Sequence, residues 1–275
     1  MIPAAFDYVL ASSLDEALSL LGESEDSKVI AGGQSLIPLL KFRLSSPGIL
    51  IDIGGLRELS GISRDGDSWR IGALTTYREL LDHDELCVAY PLLADAINDI
   101  GDLQVRNRGT VGGAIAHADP ALDFPAVALA LDAEILIRWV DGERSTPLDG
   151  FFDGAFTTGL GAGELVIGIR TPDLPAGAGT GWSSLTQSAS GYSLAGVAAV
   201  VGDGHARVAV AGVGEMPYRA TAVEEALAGG ADAAAAAAHA TEGQTVASDI
   251  HADAEYRSAL AEIQVRRAIE RAMGG

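Results

Sequence analysis

The chain has 275 residues, an apolar share of 48% and a formal net charge of −20, with 38 acidic against 18 basic side chains. No apolar run reaches the roughly 18 residues that a transmembrane helix needs, and so negative a chain repels nucleic acid. We therefore expect a soluble protein with no membrane span and no nucleic-acid partner. The length suits one large domain or two smaller ones.

Metal chemistry has little support in this chain. Cys87 is the only cysteine, so the chain cannot build a disulfide or a cysteine-ligated iron–sulfur cluster by itself. The acidic run around His83, from residue 82 to 85, is typical of a charged helix end, and we predict no metal site. Because no basic residue and no long apolar segment precede Lys28, we expect no secretory signal. We place the protein in the cytoplasm, free or peripheral to the inner face of the membrane.

The N-terminal elements predict a small α/β unit. Residues 6–10 form a strand pattern, and the capping-box sequence at 13–16 predicts a helix to about Leu21 that Gly22 stops. Residues 28–31 and 49–53 are two further short β patterns.

From residue 62 the pattern changes to hairpins and longer helices. Asp-Gly pairs predict turns within 62–71 and 134–147. Three helices are predicted: one capped by Thr75 or Thr76 and running to Leu81, one opened by Pro91 and running to about Ile100, and one buried over 124–131. A strand over 164–171 follows.

The C-terminal part begins after a seam. Residues 172–181 hold two prolines and three glycines, which predicts a domain boundary near 175. Beyond it a hairpin over 193–211 precedes three helices, of which the last, 255–273, is the longest, and the alanine tract 233–238 is helix-forming.

The sequence Ala31-Gly32-Gly33-Gln34-Ser35 directly follows a predicted strand. Consecutive glycines there indicate positive φ angles or a close backbone approach. Such a turn can expose successive N–H groups as a nest for an anion, although a plain tight turn explains the pair as well.

Thr110-Val111-Gly112-Gly113-Ala114 predicts a second turn of the same type. Two such turns suit a diphosphate. Neither matches the dinucleotide fingerprint G-x-G-x-x-G or a P-loop, so the residues by themselves indicate a phosphate-bearing cofactor without naming it.

The two motifs and their flanks resemble one family. Residues 31–38, AGGQSLIP, and 106–120, RNRGTVGGAIAHADP, are similar to the FAD-binding medium subunits of molybdenum hydroxylases, such as carbon monoxide, nicotine and xanthine dehydrogenases. The segments 50–53, 71–75 and 163–166 extend the resemblance over nearly the whole chain.

The resemblance implies an α+β fold in two domains. Residues 1–174 would form a two-lobed FAD-binding domain of the p-cresol methylhydroxylase type, with lobes at about 1–56 and 57–174. Residues 175–275 would form a C-terminal domain of the carbon monoxide dehydrogenase flavoprotein type, with a three-stranded antiparallel sheet and a helical bundle.

The resemblance also implies a non-covalent FAD site without catalytic side chains. The two glycine segments would wrap the pyrophosphate, and Asp123 would bond the ribityl or adenosine side. His117 would contact FAD or support a residue that does, or merely fill space. The implied FAD-binding residues are Ala31, Gly32, Gly33, Gln34, Ser35, Leu36, Ile100, Thr110, Gly112, Gly113, Ala114, His117, Asp123, Leu165, Val166 and Tyr192.

Two charged features stay open at this point. Arg106 and Arg108 can offset pyrophosphate charge, bind a neighbouring subunit, or form a solvated loop. Relatives commonly carry basic residues near the flavin in the stretch that here spans 183–190 without one. Since a cation there would stabilise an anionic reduced flavin, we expect its absence to lower the reduction potential or to favour a neutral form of the flavin.

The function implied is electron transfer inside a complex. A large molybdopterin-binding subunit would oxidise the substrate, a small subunit with two [2Fe-2S] clusters would carry the electrons, and FAD here would deliver them to an external acceptor. The assembly expected is a dimer of heterotrimers. The alternatives are a self-sufficient FAD-dependent oxidase or reductase, and a nucleotide-binding module without redox chemistry.

Overall fold

The first lobe is a three-stranded parallel sheet with two helices. The computed structural model describes residues 2–274. The elements are β1 (Asp7–Leu10), α1 (Leu14–Glu23), β2 (Ser27–Ile30), α2 (Leu36–Phe42) and β3 (Ile49–Asp52), with strand order β1-β3-β2. The Ser13 hydroxyl accepts the Glu16 N–H and begins α1, as predicted. The predicted end at about Leu21 is wrong by two residues, because Gly22 does not adopt the left-handed conformation that would stop the helix.

The second lobe is a five-stranded antiparallel sheet in the order β4-β5-β8-β6-β7. Its strands are β4 (Ile62–Asp65), β5 (Ser68–Gly72), β6 (Glu134–Trp139), β7 (Gly142–Pro147) and β8 (Leu165–Pro172). Both predicted hairpins are confirmed. Gly66 takes a φ of +67° in the first of them, the conformation that the Asp-Gly turn requires.

Six helices lie between β5 and β6. They are α3 (Tyr77–Leu81), α4 (Asp84–Ala89), α5 (Pro91–Asp99), α6 (Leu103–Arg108), α7 (Val111–His117) and α8 (Asp123–Ala130). Thr76 caps α3 through a complete capping box, and Pro91 is the first residue of α5. Every residue of α8 is buried, as its apolar sequence predicts.

The C-terminal sheet lies between two layers of helix. Its strands are β9 (Gly179–Thr186), β10 (Ser193–Gly202), β11 (His205–Ala211) and β12 (Tyr218–Arg219), in the order β12-β11-β10-β9, and α9 (Thr221–Ala228), α10 (Ala233–Ala237) and α11 (Ala254–Ala272) follow. Besides the three long strands expected, β12 adds a two-residue fourth strand. A Cβ at Gly181 would overlap the Ala268 carbonyl, so glycine lets α11 pack directly on β9.

The C-terminal sheet shares a core with the second lobe. Trp182, Ala198 and Ala209 belong to the same buried cluster as Phe124 of α8, while the other face of the sheet packs on α11. The C-terminal strands therefore help to fix α5 and α8, which lie beside the site described below.

Two general features of residues 2–274 bear on function. Every helix in that range is too short or too polar to cross a bilayer. The same residues contain no group of three or more His, Cys, Asp or Glu side chains arranged to hold a metal ion.

Candidate cofactor site

A cavity of about 690 Å³ is lined by both lobes and by the loop before β10. All sixteen residues that the resemblance implied lie in its lining, although they come from positions 31 to 192 of the chain. The fold therefore brings the predicted residues together in one continuous space.

The first glycine turn has the predicted conformation. Gly33 takes a φ of +74°. A Cβ at Gly32 would overlap the carbonyl oxygen of Arg108, so glycine lets the first lobe contact the second here. Both reasons for glycine that the sequence suggested apply, each to a different residue.

The same turn presents free hydrogen-bond donors to the cavity. The four backbone N–H groups from Gly32 to Ser35 donate to no acceptor among residues 2–274, and Ser35 makes no side-chain cap at the start of α2. Unpaired backbone donors are rare in folded proteins unless water or a ligand accepts from them. Consecutive unpaired N–H groups in a turn are the kind of donor set that can bind a phosphate.

The prediction of a second turn of the same kind at 110–114 is wrong. Thr110 caps α7, and Gly112 and Gly113 lie in its first turn without positive φ angles. The protein itself uses their N–H groups: Gly112 donates to Ala73 O at 2.8 Å and Gly113 to Thr110 Oγ1 at 3.2 Å. Because a Cβ at Gly112 would lie 2.5 Å from the Ala73 Cβ, this glycine serves close packing of α7 on the cavity wall.

Asp123 lines the same cavity, but its one unpaired oxygen is buried on the side that faces β10. The residue is 4% exposed, and its Oδ1 has no hydrogen-bond partner within residues 2–274. Burial raises the pKa of Asp123 to about 7, because the low-dielectric surroundings disfavour the carboxylate. The Ser193 hydroxyl lies beside Oδ1 next to Gly196 and opposes the rise in the pKa.

An apolar wall occupies another part of the lining. Ile100, Leu165 and Val166 are buried there, whereas Tyr192 is 42% exposed at the rim. Arg106, whose role was open, donates from Nη1 to the Ile100 carbonyl at 2.9 Å and to the Asn98 carbonyl at 3.2 Å. Its guanidinium therefore fixes the loop that carries Ile100.

His117 ends α7 on the cavity wall. Burial lowers the pKa of His117, an effect that Lys28 reinforces and Asp119 opposes. The imidazole packs against the tilted ring of Phe156, with ring centroids 5.2 Å apart. A neutral imidazole is better suited to van der Waals contact with a ligand than to an ion pair with one.

The sequence missed several residues of the lining. They include Lys28, Leu39, Ala73, Leu74, Tyr77, Phe156 and Leu160. The segment 71–75 carried part of the resemblance, which is a signal for Ala73 and Leu74. Phe156 had no sequence signal, because nothing local distinguishes it from a loop residue.

The fold and the cavity define the class of protein: an α+β protein with a large cofactor cavity, in which a turn of unpaired N–H groups suits a phosphate. Comparison with known proteins agrees. The family model described as the FAD binding domain in molybdopterin dehydrogenase matches residues 4–174, and that described as the CO dehydrogenase flavoprotein C-terminal domain matches 186–272.

Individual relatives match over the full length. The 6-hydroxypseudooxynicotine dehydrogenase complex subunit alpha of Paenarthrobacter nicotinovorans is 36% identical over 284 residues, covering 99% of this chain and 96% of that protein. The carbon monoxide dehydrogenase medium chain of Hydrogenophaga pseudoflava is 36% identical over 288 residues, covering 99% and 98%. A solved structure of carbon monoxide dehydrogenase from Hydrogenophaga pseudoflava aligns with a TM-score of 0.95 and 39% identity over 100% of this chain and 99% of that chain.

The chain belongs to the FAD-binding medium subunits of the molybdenum hydroxylases, as its resemblance implied. The α+β fold of an FAD-binding domain followed by a C-terminal domain is confirmed. FAD is thus the cofactor, and its diphosphate is a group that the unpaired N–H groups from Gly32 to Ser35 can bind.

Proposed function

We propose that this chain relays electrons from two [2Fe-2S] clusters of a small partner subunit through FAD to an external acceptor. The substrate is oxidised at the molybdenum cofactor of a large partner subunit. When bound, FAD supplies the redox chemistry, and the protein supplies binding, orientation and electrostatics. The observation that carries this proposal is the cavity itself, which brings the four unpaired N–H groups and all the predicted FAD-binding residues into one lining.

Each part of the lining has a proposed task. The N–H groups from Gly32 to Ser35 hold the diphosphate. Gly112 and Gly113 have no side chains, so the cofactor can lie close to the backbone of α7. Asp123 accepts a hydroxyl hydrogen from the ribityl or adenosine part. Ile100, Leu165 and Val166 exclude water from the isoalloxazine ring, and Tyr192 covers its exposed side.

The flavin is held without a covalent bond. His117 contacts Phe156 and lines the cavity as a neutral ring, and it serves as a contact surface. After acid precipitation of the protein, the FAD should remain in the supernatant. Yellow colour on the precipitated polypeptide would contradict this part of the proposal.

The chain works as part of a larger assembly in the cytoplasm, a dimer of heterotrimers with the two partner subunits. Its own domains divide near residue 175. The linker-like composition of 172–181 supports this division, as do the matched family segments, which end at 174 and begin at 186.

Purification of the tagged chain from its native cells tests the relay. We expect FAD, iron and molybdenum to copurify in a fixed ratio, and we expect substrate to bleach the flavin absorbance only when the partners are present. If the isolated chain retains FAD and the substrate of the complex reduces it without partners, the chain is a self-sufficient oxidase or reductase. If the isolated chain retains a nucleotide but no flavin, it is a nucleotide-binding module and the proposed redox function is wrong.

A further inference from the structure

Phe156 adopts a backbone conformation that its side chain does not favour. Its φ is +58°, and it is the third residue of a turn that the Thr157 N–H closes on the Gly154 carbonyl at 3.2 Å. Glycine or asparagine is the usual residue at a turn position with positive φ. The Phe156 side chain is also 59% exposed. A folding requirement alone would favour glycine here, and such local conflicts concentrate at functional sites.

The surrounding structure fixes this conformation. The Phe156 N–H donates to the Ala118 carbonyl at 2.9 Å, and Ala118 itself has a φ of +50° at the end of α7. At the base of the loop, Phe152 pairs with Thr158, and the Gly159 N–H donates to the Phe151 carbonyl at 2.8 Å. The tip that carries Phe156 is therefore attached to α7 rather than free in solvent.

The Phe156 ring extends the cavity wall. It stands at an angle of 52° to the His117 ring, with centroids 5.2 Å apart, and both residues line the cavity. The first glycine turn contacts the Arg108 carbonyl just before α7, whereas His117 and the Phe156 loop lie at the C-terminal end of α7. The short helix α7 thus connects the diphosphate donors to the two rings along the cavity wall.

We propose that Phe156, supported by His117, packs on the adenosine diphosphate half of FAD and slows its release. This inference rests on the proposed FAD function. An adenine ring has flat apolar faces that stack on aromatic side chains, and a neutral histidine beside the phenyl ring keeps that surface apolar. The strained backbone directs the ring over the cavity, at a place where an alanine or glycine would leave the cofactor open to water.

The test compares Phe156→Gly, Phe156→Tyr and the wild-type chain. Phe156→Gly removes the ring and also suits the positive φ, so the apo form should unfold at the same temperature as wild type or higher. Its dissociation constant for FAD, measured by flavin fluorescence, should rise about tenfold or more, the effect of one lost aromatic stack. The affinity of Phe156→Gly for ADP, measured by competition with FAD, should fall by a similar factor. Phe156→Tyr should bind FAD with a dissociation constant within about threefold of wild type.

Asp132→Gly is the matched control. Asp132 also has a positive φ, +56°, but does not line the cavity, so this variant should bind FAD like wild type. The inference is overturned if Phe156→Gly binds FAD within about twofold of wild type, if its apo form unfolds at a lower temperature, or if ADP binding is unchanged. Failure of the wild-type chain to bind FAD would instead overturn the proposed function.

Discussion

Asp99 Oδ2 accepts hydrogen bonds from the Trp182 indole Nε1 and from the Ser184 hydroxyl, both at 2.8 Å. Asp99 is the last residue of α5 and Trp182 lies in β9, so this carboxylate joins the second lobe to the C-terminal sheet. The next residue, Ile100, lines the cofactor cavity. The C-terminal sheet therefore helps to position the cavity wall.

Replacing Asp99 with alanine should lower the free energy of unfolding by about 1–3 kcal/mol, because the N–H of Trp182, itself 2% exposed, loses its acceptor. Urea denaturation of the apo chain measures this. Asp95→Ala is the control, because Asp95 lies on the same helix and its exposed carboxylate makes no hydrogen bond to the described residues. This variant should lower the free energy of unfolding by less than about 0.5 kcal/mol. Equal losses in the two variants would show that the bond to Trp182 contributes nothing.

Gly32→Ala should abolish FAD retention and destabilise the chain by about 1–3 kcal/mol, because the new Cβ overlaps the Arg108 carbonyl and pushes the lobes apart. The FAD-to-protein ratio after desalting and the urea midpoint are the measurements. Gly22→Ala is the control: no atom lies within 4 Å of that added Cβ, and the change should stabilise α1 by up to about 1 kcal/mol. Normal FAD content in Gly32→Ala would contradict the close contact.

Asp123→Asn should stabilise the apo chain increasingly as pH rises. The folded chain holds the Asp123 proton up to about pH 7, whereas an ordinary aspartate loses it near 3.8. The free energy of unfolding of the wild type therefore falls, relative to that of the variant, as pH rises between these two values. Above them the difference between the two forms stays constant. Urea unfolding of both forms at a series of pH values measures the difference. A constant difference from pH 4 to 8 would show that Asp123 titrates normally.

Ser190→Lys should raise the reduction potential of the bound FAD. Ser190 lines the cavity in a stretch, 183–190, that contains no basic residue, and an added cation stabilises the electrons that reduced flavin carries. Redox titration of the holo chain gives the potential. Ser188→Lys adds the same charge to an exposed residue outside the cavity lining, so its shift should be smaller. If the reduction potential of FAD is unchanged in Ser190→Lys, the lack of basic residues at 183–190 does not set that potential.

Local signals predicted much of the fold because the interactions involved are themselves local. Asp-Gly pairs marked both hairpins of the second lobe, Thr76 with Glu79 marked the start of α3, and an unbroken apolar run marked the buried α8. In each case the residues that form the structure are neighbours in the chain. The end of α1 was misplaced since a glycine near a helix terminus fits either conformation.

The two glycine pairs show where local reasoning stops. They look alike in sequence, yet Gly33 is left-handed in an open turn, whereas Gly112 and Gly113 are helical behind the Thr110 cap. The difference depends on Ala73, which is distant in sequence and accepts the Gly112 N–H. Only the packed structure reveals which N–H groups remain free for a ligand.

By itself the sequence determined the family, the order of most elements and sixteen of the residues that line the cofactor cavity, because motifs, short-range patterns and the family resemblance carry this information. The tertiary structure decided that only the first glycine segment offers unpaired N–H groups, that Arg106 supports the Ile100 loop, and that Phe156 faces the cavity. Those facts depend on contacts between segments far apart in the chain, which no local pattern of residues specifies.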